Sequence, residues 1–501
     1  MAELFQHLST GFGAALTLSN LGFALIGCLL GTLIGVLPGL GAVATVAMLL
    51  PVTYGLDPLS GMIMLASIYY GAQYGGSTTA ILVNLPGESS SVVTCLDGYR
   101  MARNGRAGAA LSVAALGSLF AGIVGTLFIA GLGPLLAGVS QRFNSPEYFA
   151  LMVFGLIGSV VLANGSVLKA IAMVFLGLLV GLVGIDVTSG TLRYTFGSLQ
   201  LYDGIGFVVL ALGFFGIPEI MSNLEKPAST RSVMVASYDS LMPTREEVRR
   251  AVPASIRGTL LGSFLGILPG GGGILAAFSS YALEKRVSKT PERFGTGMVE
   301  GVAGPESANN AAAQTAFIPM LTLGIPSHPV MALMMGALLV HGMAPGSSIM
   351  VNQPVLFWGL VASMFIGNLM LVIINLPMIG IWVQLLKVPY RLLFPAVLIF
   401  CCIGIYSVNN SAFEVMLAAF VATLGYVFYK LGCEPAPFLL AVVLGPMMEE
   451  NLRRSMTLSR GDPAIFVERP ICLALLVLSA LLVALIALPS IRKRREETFV
   501  E

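Results

Sequence analysis

The chain has 501 residues, 56% of them apolar and 10% charged, with a mean hydropathy of +0.88. A soluble domain carries about 25% charge, so this composition excludes a soluble enzyme or binding module and points to a polytopic membrane protein. The net charge of +2 gives no reason to expect a nucleic acid partner.

The N-terminus, Met1-Ala2-Glu3-Leu4-Phe5-Gln6-His7, has no basic stretch. No persuasive cleavage site follows, so 13–37 is expected as a retained helix rather than a signal peptide. That helix runs into Gly31-Thr32-Leu33-Ile34-Gly35-Val36-Leu37-Pro38-Gly39-Leu40-Gly41. Far downstream the phrase returns as Gly262-Ser263-Phe264-Leu265-Gly266-Ile267-Leu268-Pro269-Gly270-Gly271-Gly272. Proline removes a backbone donor, and the glycines permit tight turns and close backbone approach. Two broken apolar segments in matching positions of two halves point to the binding site of a secondary transporter. Helix packing would account for G-x-x-x-G alone, but poorly for the whole paired phrase. Segment 40–52 is short for a full span. Each Leu-Pro-Gly unit is therefore expected as a re-entrant hairpin, or a pair of helices, with its tip inside protein.

A polar constellation follows each tip. The first is Tyr74-Gly75-Gly76-Ser77-Thr78-Thr79-Ala80, then Asn84-Leu85-Pro86-Gly87-Glu88. The second is Pro305-Glu306-Ser307-Ala308-Asn309-Asn310, then Thr315, then Gly324-Ile325-Pro326-Ser327-His328. Four plainer spans are expected after the first (107–139, 147–164, 168–185, 204–222) and four after the second (354–382, 391–408, 412–430, about 433–450). A last helix, 470–490, ends at Arg492-Lys493-Arg494-Arg495.

Cytoplasmic loops are enriched in Lys and Arg. Loop 53–58 has no basic residue, while its counterpart 284–293 has Lys285, Arg286, Lys289 and Arg293. Arg100, Arg103 and Arg106 follow the first constellation, while 342–353 has none. Both comparisons reverse sign, as an inverted repeat requires. The expected architecture is thus an all-α membrane protein of two inverted-topology repeats, 13–222 and 250–450, with broken helices. A cytoplasmic linker, 223–249, joins them. An outer loop and final helix (451–491) and a cytoplasmic tail (492–501) complete it. The four arginines of 451–469 sit badly on the outside.

Exposed N–H groups at half-helix N-termini, with Ser, Thr and Asn side chains, suit a carboxylate; unwound carbonyls and amide oxygens suit Na⁺. The candidate set is Pro38, Gly39, Gly41, Ser77, Thr78, Thr79, Asn84, Pro86 and Gly87 from the first half. From the second it is Pro269, Gly270, Gly272, Ser307, Asn309, Asn310, Thr315, Pro326 and Ser327. For any one of them, helix capping or interhelical hydrogen bonding is the competing reading. Glu88, Glu306 and His328 are the ionisable residues near the tips, and such residues within a membrane are usually functional. The competing readings are a loop-end Glu88 in water and a His328 bonded to backbone. No Arg lies within the constellations. Three isolated histidines and six scattered cysteines give neither H-E-x-x-H nor paired C-x-x-C, hence no metal site or disulfide framework.

At these residues the chain resembles the large membrane subunit of the tripartite tricarboxylate transporters, the TctA-type family. The resemblance rests on Gly35–Gly41, on Tyr74–Ser77 through Asn84–Gly87, and on Ala308-Asn309-Asn310-Ala311-Ala312 through Ile318–Pro326, and it extends over essentially the whole chain. It departs slightly at Gly271, where the first tip has Leu40. It implies a bacterial inner-membrane protein that pairs with a small four-helix membrane subunit. A periplasmic solute-binding protein delivers citrate-like carboxylates, and a cation gradient, usually Na⁺, drives uptake. No cofactor is expected beyond that cation. A passive channel would need a continuous polar lining, and an intramembrane enzyme would have no use for the repeat.

Overall fold

The computed structural model describes residues 2–37, 41–84, 86–140, 142–163, 166–186, 189–225, 242–268, 272–385 and 390–487. It is helical almost throughout, apart from a hairpin pairing Gly184–Ile185 with Leu192–Arg193. Among the described residues, four stretches are long and apolar enough to cross a membrane: Leu18–Gly35, Ser89–Val139, Pro354–Asn375 and Ala412–Lys430. The linker is described only at its edges, and the tail 492–501 lies outside the described residues.

The helices form two groups. One contains α1 (Ala2–Ala15), α2 (Leu18–Gly35), α3 (Ala42–Thr53), α4 (Pro58–Val83), α5 (Val92–Met101) and α6 (Ala107–Ser140). The second group begins with α7 (Ser145–Leu162), α8 (Val167–Gly181), α9 (Phe207–Ala211) and α10 (Ile217–Glu225). The chain then returns to the first group through α11 (Arg245–Ile267), α12 (Gly272–Val287), α13 (Glu300–Thr315), α14 (Phe317–Leu323), α15 (Pro329–Val340), α16 (Ser347–Asn352) and α17 (Pro354–Asn375). After the short α18 (Ile379–Leu385) it re-enters the second through α19 (Tyr390–Asn409), α20 (Ala412–Lys430), α21 (Pro435–Leu458), α22 (Ile465–Glu468) and α23 (Pro470–Ala487).

Local chemistry sets several starts. Thr17 caps α2 through the Asn20 N–H, and Asp57 caps α4 through the Leu59 N–H with Pro58 in the first turn. Thr244 and Glu247 form a capping box on α11. The Thr17 cap also splits the single helix expected over 13–37 into α1 and α2.

α4 and α13 are buried over nearly their whole lengths. Each is held by a glycine-spaced neighbour. Cβ atoms added at Gly31 and Gly35 of α2 would fall on the carbonyls of Ile68 and Ala72 of α4. Cβ atoms at Gly258, Gly262 and Gly266 of α11 would fall on those of Gly304, Ala308 and Ala312 of α13. The same backbone-on-backbone packing thus occurs once in each half, next to each Leu-Pro-Gly tip. The first plainer span of each half, α6 and α17, packs with these tip-bearing helices rather than with the other plain spans: Asn310 Nδ2 donates to Ser118 Oγ at 2.7 Å, and Asn375 Nδ2 to Thr32 Oγ1 at 3.4 Å.

At one end of this group, buried Asp97 of α5 accepts the N–H groups of Gly295 (2.9 Å), Gly297 (2.8 Å) and Met298 (2.7 Å), and the Tyr281 hydroxyl (2.9 Å). Arg106 pairs with Glu247, Arg250 with Glu300 and Arg257 with Glu284 nearby. The basic loops 97–106, 245–257 and 284–300 therefore lie together. Residues from the two non-basic loops also meet, Tyr54 stacking on His341.

The second group has its own polar ties. Arg453 pairs with Asp186 and Glu449, Arg193 with both, and Arg469 with Glu147. Arg454 pairs with Glu450. Three of the four arginines in 451–469 are thus matched by carboxylates. α21 also runs to Leu458, past the expected end of its span. Hydrogen bonds from Lys430 and Tyr426 hold the Glu225 carboxyl below its usual range.

Gly262→Ala should destabilise the protein by about 1–3 kcal/mol, because neither helix backbone can yield locally. Gly131→Ala, where a Cβ meets nothing within 4 Å, should leave thermal unfolding in detergent unchanged or slightly raised. Asp97→Ala should cost about 1.5–3 kcal/mol, as buried N–H groups lose a charged acceptor; an unchanged melting temperature would remove this latch from the account of the fold.

Candidate functional site

The first constellation lies within α4, which continues as one helix through Tyr74–Ala80 to Val83. The sequence reading made this a separate polar segment, but neither Gly75 nor Gly76 breaks the helix. Both glycines face close backbone: a Cβ on Gly75 would crowd the Thr32 carbonyl and Val36 N, and one on Gly76 would crowd Glu88. α4 ends at Asn84, an exposed residue in the left-handed conformation (φ 56°). Its counterpart at the end of α14 is Gly324, φ 72°. Pro86-Gly87 and Pro326-Ser327 follow these turns, and Gly87 N–H donates back to Gly76 O at 3.4 Å.

Hydroxyls in the two constellations divide into two kinds. Thr78, Thr79, Thr315 and Thr322 donate to carbonyls of their own helices. Ser77 donates to Gln73 O at 3.0 Å and also reaches across to Glu306 Oε2 at 2.7 Å. Thr94 of α5 donates to the other oxygen of Glu306. Glu306 is buried on α13, so a carboxylate of the second half is held by two hydroxyls of the first.

Glu88 mirrors this arrangement. It is half-buried, accepts from Ser90, and takes Asn309 Nδ2 at 3.1 Å from the second half. Asn309 Oδ1 lies 3.5 Å from Gln73 Nε2. Glu88 is therefore engaged with protein rather than left at a loop end in water. Asn310 reaches Ser118 Oγ and the Glu306 carbonyl. His328 faces a side chain rather than backbone: its Nε2 is 3.3 Å from the Tyr69 hydroxyl, and the two rings pack at a tilt. Hydroxyls and amides, not cations, are the groups bonded to both carboxylates. Ser307 is fully buried on α13, and its Oγ has no hydrogen-bond partner.

At the first tip, Gly41 starts α3 and its N–H donates to Glu219 Oε1 of α10 at 2.9 Å. A carboxylate thus sits on the N-terminus of a helix broken by Leu-Pro-Gly, the contact expected for an anion. Gly272 begins α12 with φ 45°. Pro38, Gly39, Pro269 and Gly270 lie outside the described residues.

Sequence reasoning missed Gln73, Thr94, Ser118, Glu219 and Asn375. Gln73 and Thr94 border the constellations. Asn368 and Asn375 are amides in an otherwise apolar span, and that was the available signal for them.

The model of the tripartite tricarboxylate transporter TctA family matches residues 21–440. Two proteins of Agrobacterium vitis are also similar. The uncharacterized 52.8 kDa protein in the TAR-I ttuC' 3' region is 56% identical over 501 residues, covering 100% of both chains. The uncharacterized protein in the TAR-II ttuC' 3' region is 60% identical over 240 residues, 48% of this chain and 99% of that one. No solved structure matches the chain. The family match takes in both tips and both constellations, and the chain belongs to the tripartite tricarboxylate transporter TctA family.

Proposed function

We propose that the chain is the substrate-translocating membrane subunit of a binding-protein-dependent secondary transporter. It imports carboxylates of the tri- or dicarboxylate class, coupled to a cation gradient, Na⁺ first and H⁺ in its place. The observation that carries this reading is the meeting of the two halves at Glu88 and Glu306, each bonded by hydroxyls and amides among the described residues. An anionic substrate entering beside two carboxylates is repelled unless positive charge arrives with it. An isolated buried carboxylate is itself costly. A cation that neutralises the site relieves both penalties, so binding of anion and cation is coupled by electrostatics.

The described side-chain bonds support an elevator-like alternation of access. They fall largely within one helix group or within the other, so the tip-bearing group has the internal ties of one moving body. The Gly41–Glu219 bond joins it to the second group, which would be the scaffold. The tips, turned at Pro86 and Pro326, would supply the N–H groups of Gly41, Gly87, Gly272 and Ser327 to the substrate. A small four-helix membrane subunit and a periplasmic solute-binding protein complete the assembly in the inner membrane of a bacterium.

Uptake into proteoliposomes holding this chain with its small subunit and binding protein tests the function. Radiolabelled citrate and succinate should accumulate above equilibrium only with an inward cation gradient and the binding protein. Simple equilibration without either would establish a passive pore instead. The inverted repeat is tested by labelling Gly55→Cys and Lys289→Cys, both at exposed positions, in a cysteine-free background. The two should react from opposite sides of the membrane; labelling from the same side would end the inverted topology.

A further inference from the structure

A cavity of about 20 Å³ lies where α4 and α6 meet α13 and α17. Its polar lining is Tyr74, Ser77, Thr78, Ser118, Glu306 and Asn375, and aliphatic side chains close the rest. The volume suits a single water-sized particle.

Most hydrogens of this lining are already committed, that of the Ser118 hydroxyl excepted. Thr78 donates to Tyr74 O at 3.1 Å, the Tyr74 hydroxyl to Ala115 O at 3.4 Å, and Ser77 to Gln73 O and Glu306. Ser118 Oγ accepts from Asn310. Asn375 is 5% exposed, and its Nδ2 is engaged by Leu371 O at 2.9 Å and Thr32 Oγ1. Those two bonds fix which end of the amide carries oxygen, and among the described residues Asn375 Oδ1 accepts no hydrogen bond. What otherwise remains for the cavity is a set of oxygen lone pairs, one carboxylate and one unpartnered amide oxygen. Glu306 is the charged residue in the lining, and neither Lys, Arg nor His contributes to it.

Such a set lacks positive charge, not hydrogen-bond acceptors. We infer that this cavity is a binding site for one small monovalent cation, Na⁺ by size, ligated by Glu306 and Asn375 Oδ1 with hydroxyl oxygens of Thr78 and Ser118. One positive charge leaves the site neutral in its low-dielectric surroundings; a divalent ion would leave it charged. All-oxygen ligation suits a hard cation. The ligands come from both halves, and Ser77, which holds Glu306, belongs to the candidate substrate constellation. Through Thr78 the bound ion therefore touches the segment proposed to meet the substrate. This rests on the coupled-importer reading and names the place of its cation.

The test uses the purified full chain in detergent, without substrate or binding protein, and follows thermal unfolding in NaCl against choline chloride and KCl at equal ionic strength. Na⁺ should raise the melting temperature saturably, as a ligand of the folded state does, and choline should not. Glu306→Gln and Asn375→Leu should abolish the shift. Should either fail to fold, Thr78→Val, which removes one ligand oxygen and keeps the shape, should raise half-saturating Na⁺ about tenfold. A Na⁺ shift that survives intact in these variants would overturn the site, and so would a wild-type chain that Na⁺ does not stabilise. Neither result touches the importer reading, which the proteoliposome uptake decides separately.

Discussion

Everything around the site depends on how closely helix backbones approach at the glycine stripes. α2 and α11 can lie against α4 and α13 only because Gly31, Gly35, Gly258, Gly262 and Gly266 present no side chain. That approach buries α4 and α13 on nearly all sides. It also forces their polar residues to find partners within protein, since lipid offers none. A helix as polar as α13, with Glu306, Ser307, Asn309, Asn310 and Gln314, is tolerable in this position only when surrounded by other helices. Glycine packing and the polar site are therefore one design feature. The stripe makes the enclosure, and the enclosure makes a buried carboxylate possible.

The electrostatics follow from the same enclosure. Glu306 is stabilised by hydrogen bonds from Ser77 and Thr94, and Glu88 by Ser90 and Asn309. Such bonds stabilise a buried carboxylate by about 1.5–3 kcal/mol each, so two of them offset much of the effective penalty of burying it unpaired, which is several kcal/mol. The remainder has to come from a proton, an ion or access to water. On the proposed mechanism a co-bound cation supplies that balance before any substrate is considered.

Much of this was legible in the sequence. The paired Leu-Pro-Gly phrases locate most of both glycine stripes, because Gly31 and Gly35, and likewise Gly262 and Gly266, stand in the same phrases just before the tips. The span positions were legible from apolar runs, with α6, α17 and α20 close to expectation. Local pattern could not reveal that Tyr74–Ala80 stays helical: Gly-Gly-Ser-Thr-Thr has poor helix propensity, and tertiary enclosure overrides it. Nor could it pair Tyr69 with His328, which are far apart in sequence. Nor could it give the arginines of 451–469 their partners Asp186, Glu449, Glu450 and Glu147, two of which are remote in sequence.

The same partition bears on how the proposed motion would be possible at all. Sliding one helix group past another is impeded by every directed bond across their boundary and only weakly by apolar contact. At that boundary Gly336 lies against Phe207, Gly404 against Pro51, and Gly155 against Ile325. These are contacts between small and greasy groups that can be exchanged for similar ones at low cost. The Gly41–Glu219 bond is different, because it places a scaffold carboxylate on the N-terminus of α3. A substrate carboxylate at that tip would compete with Glu219 for the same N–H. On the proposed mechanism, substrate binding would then release a tie to the scaffold at the moment the cation neutralises the core. An unloaded carrier would keep both its tether and its uncompensated charge, and each opposes an unproductive crossing.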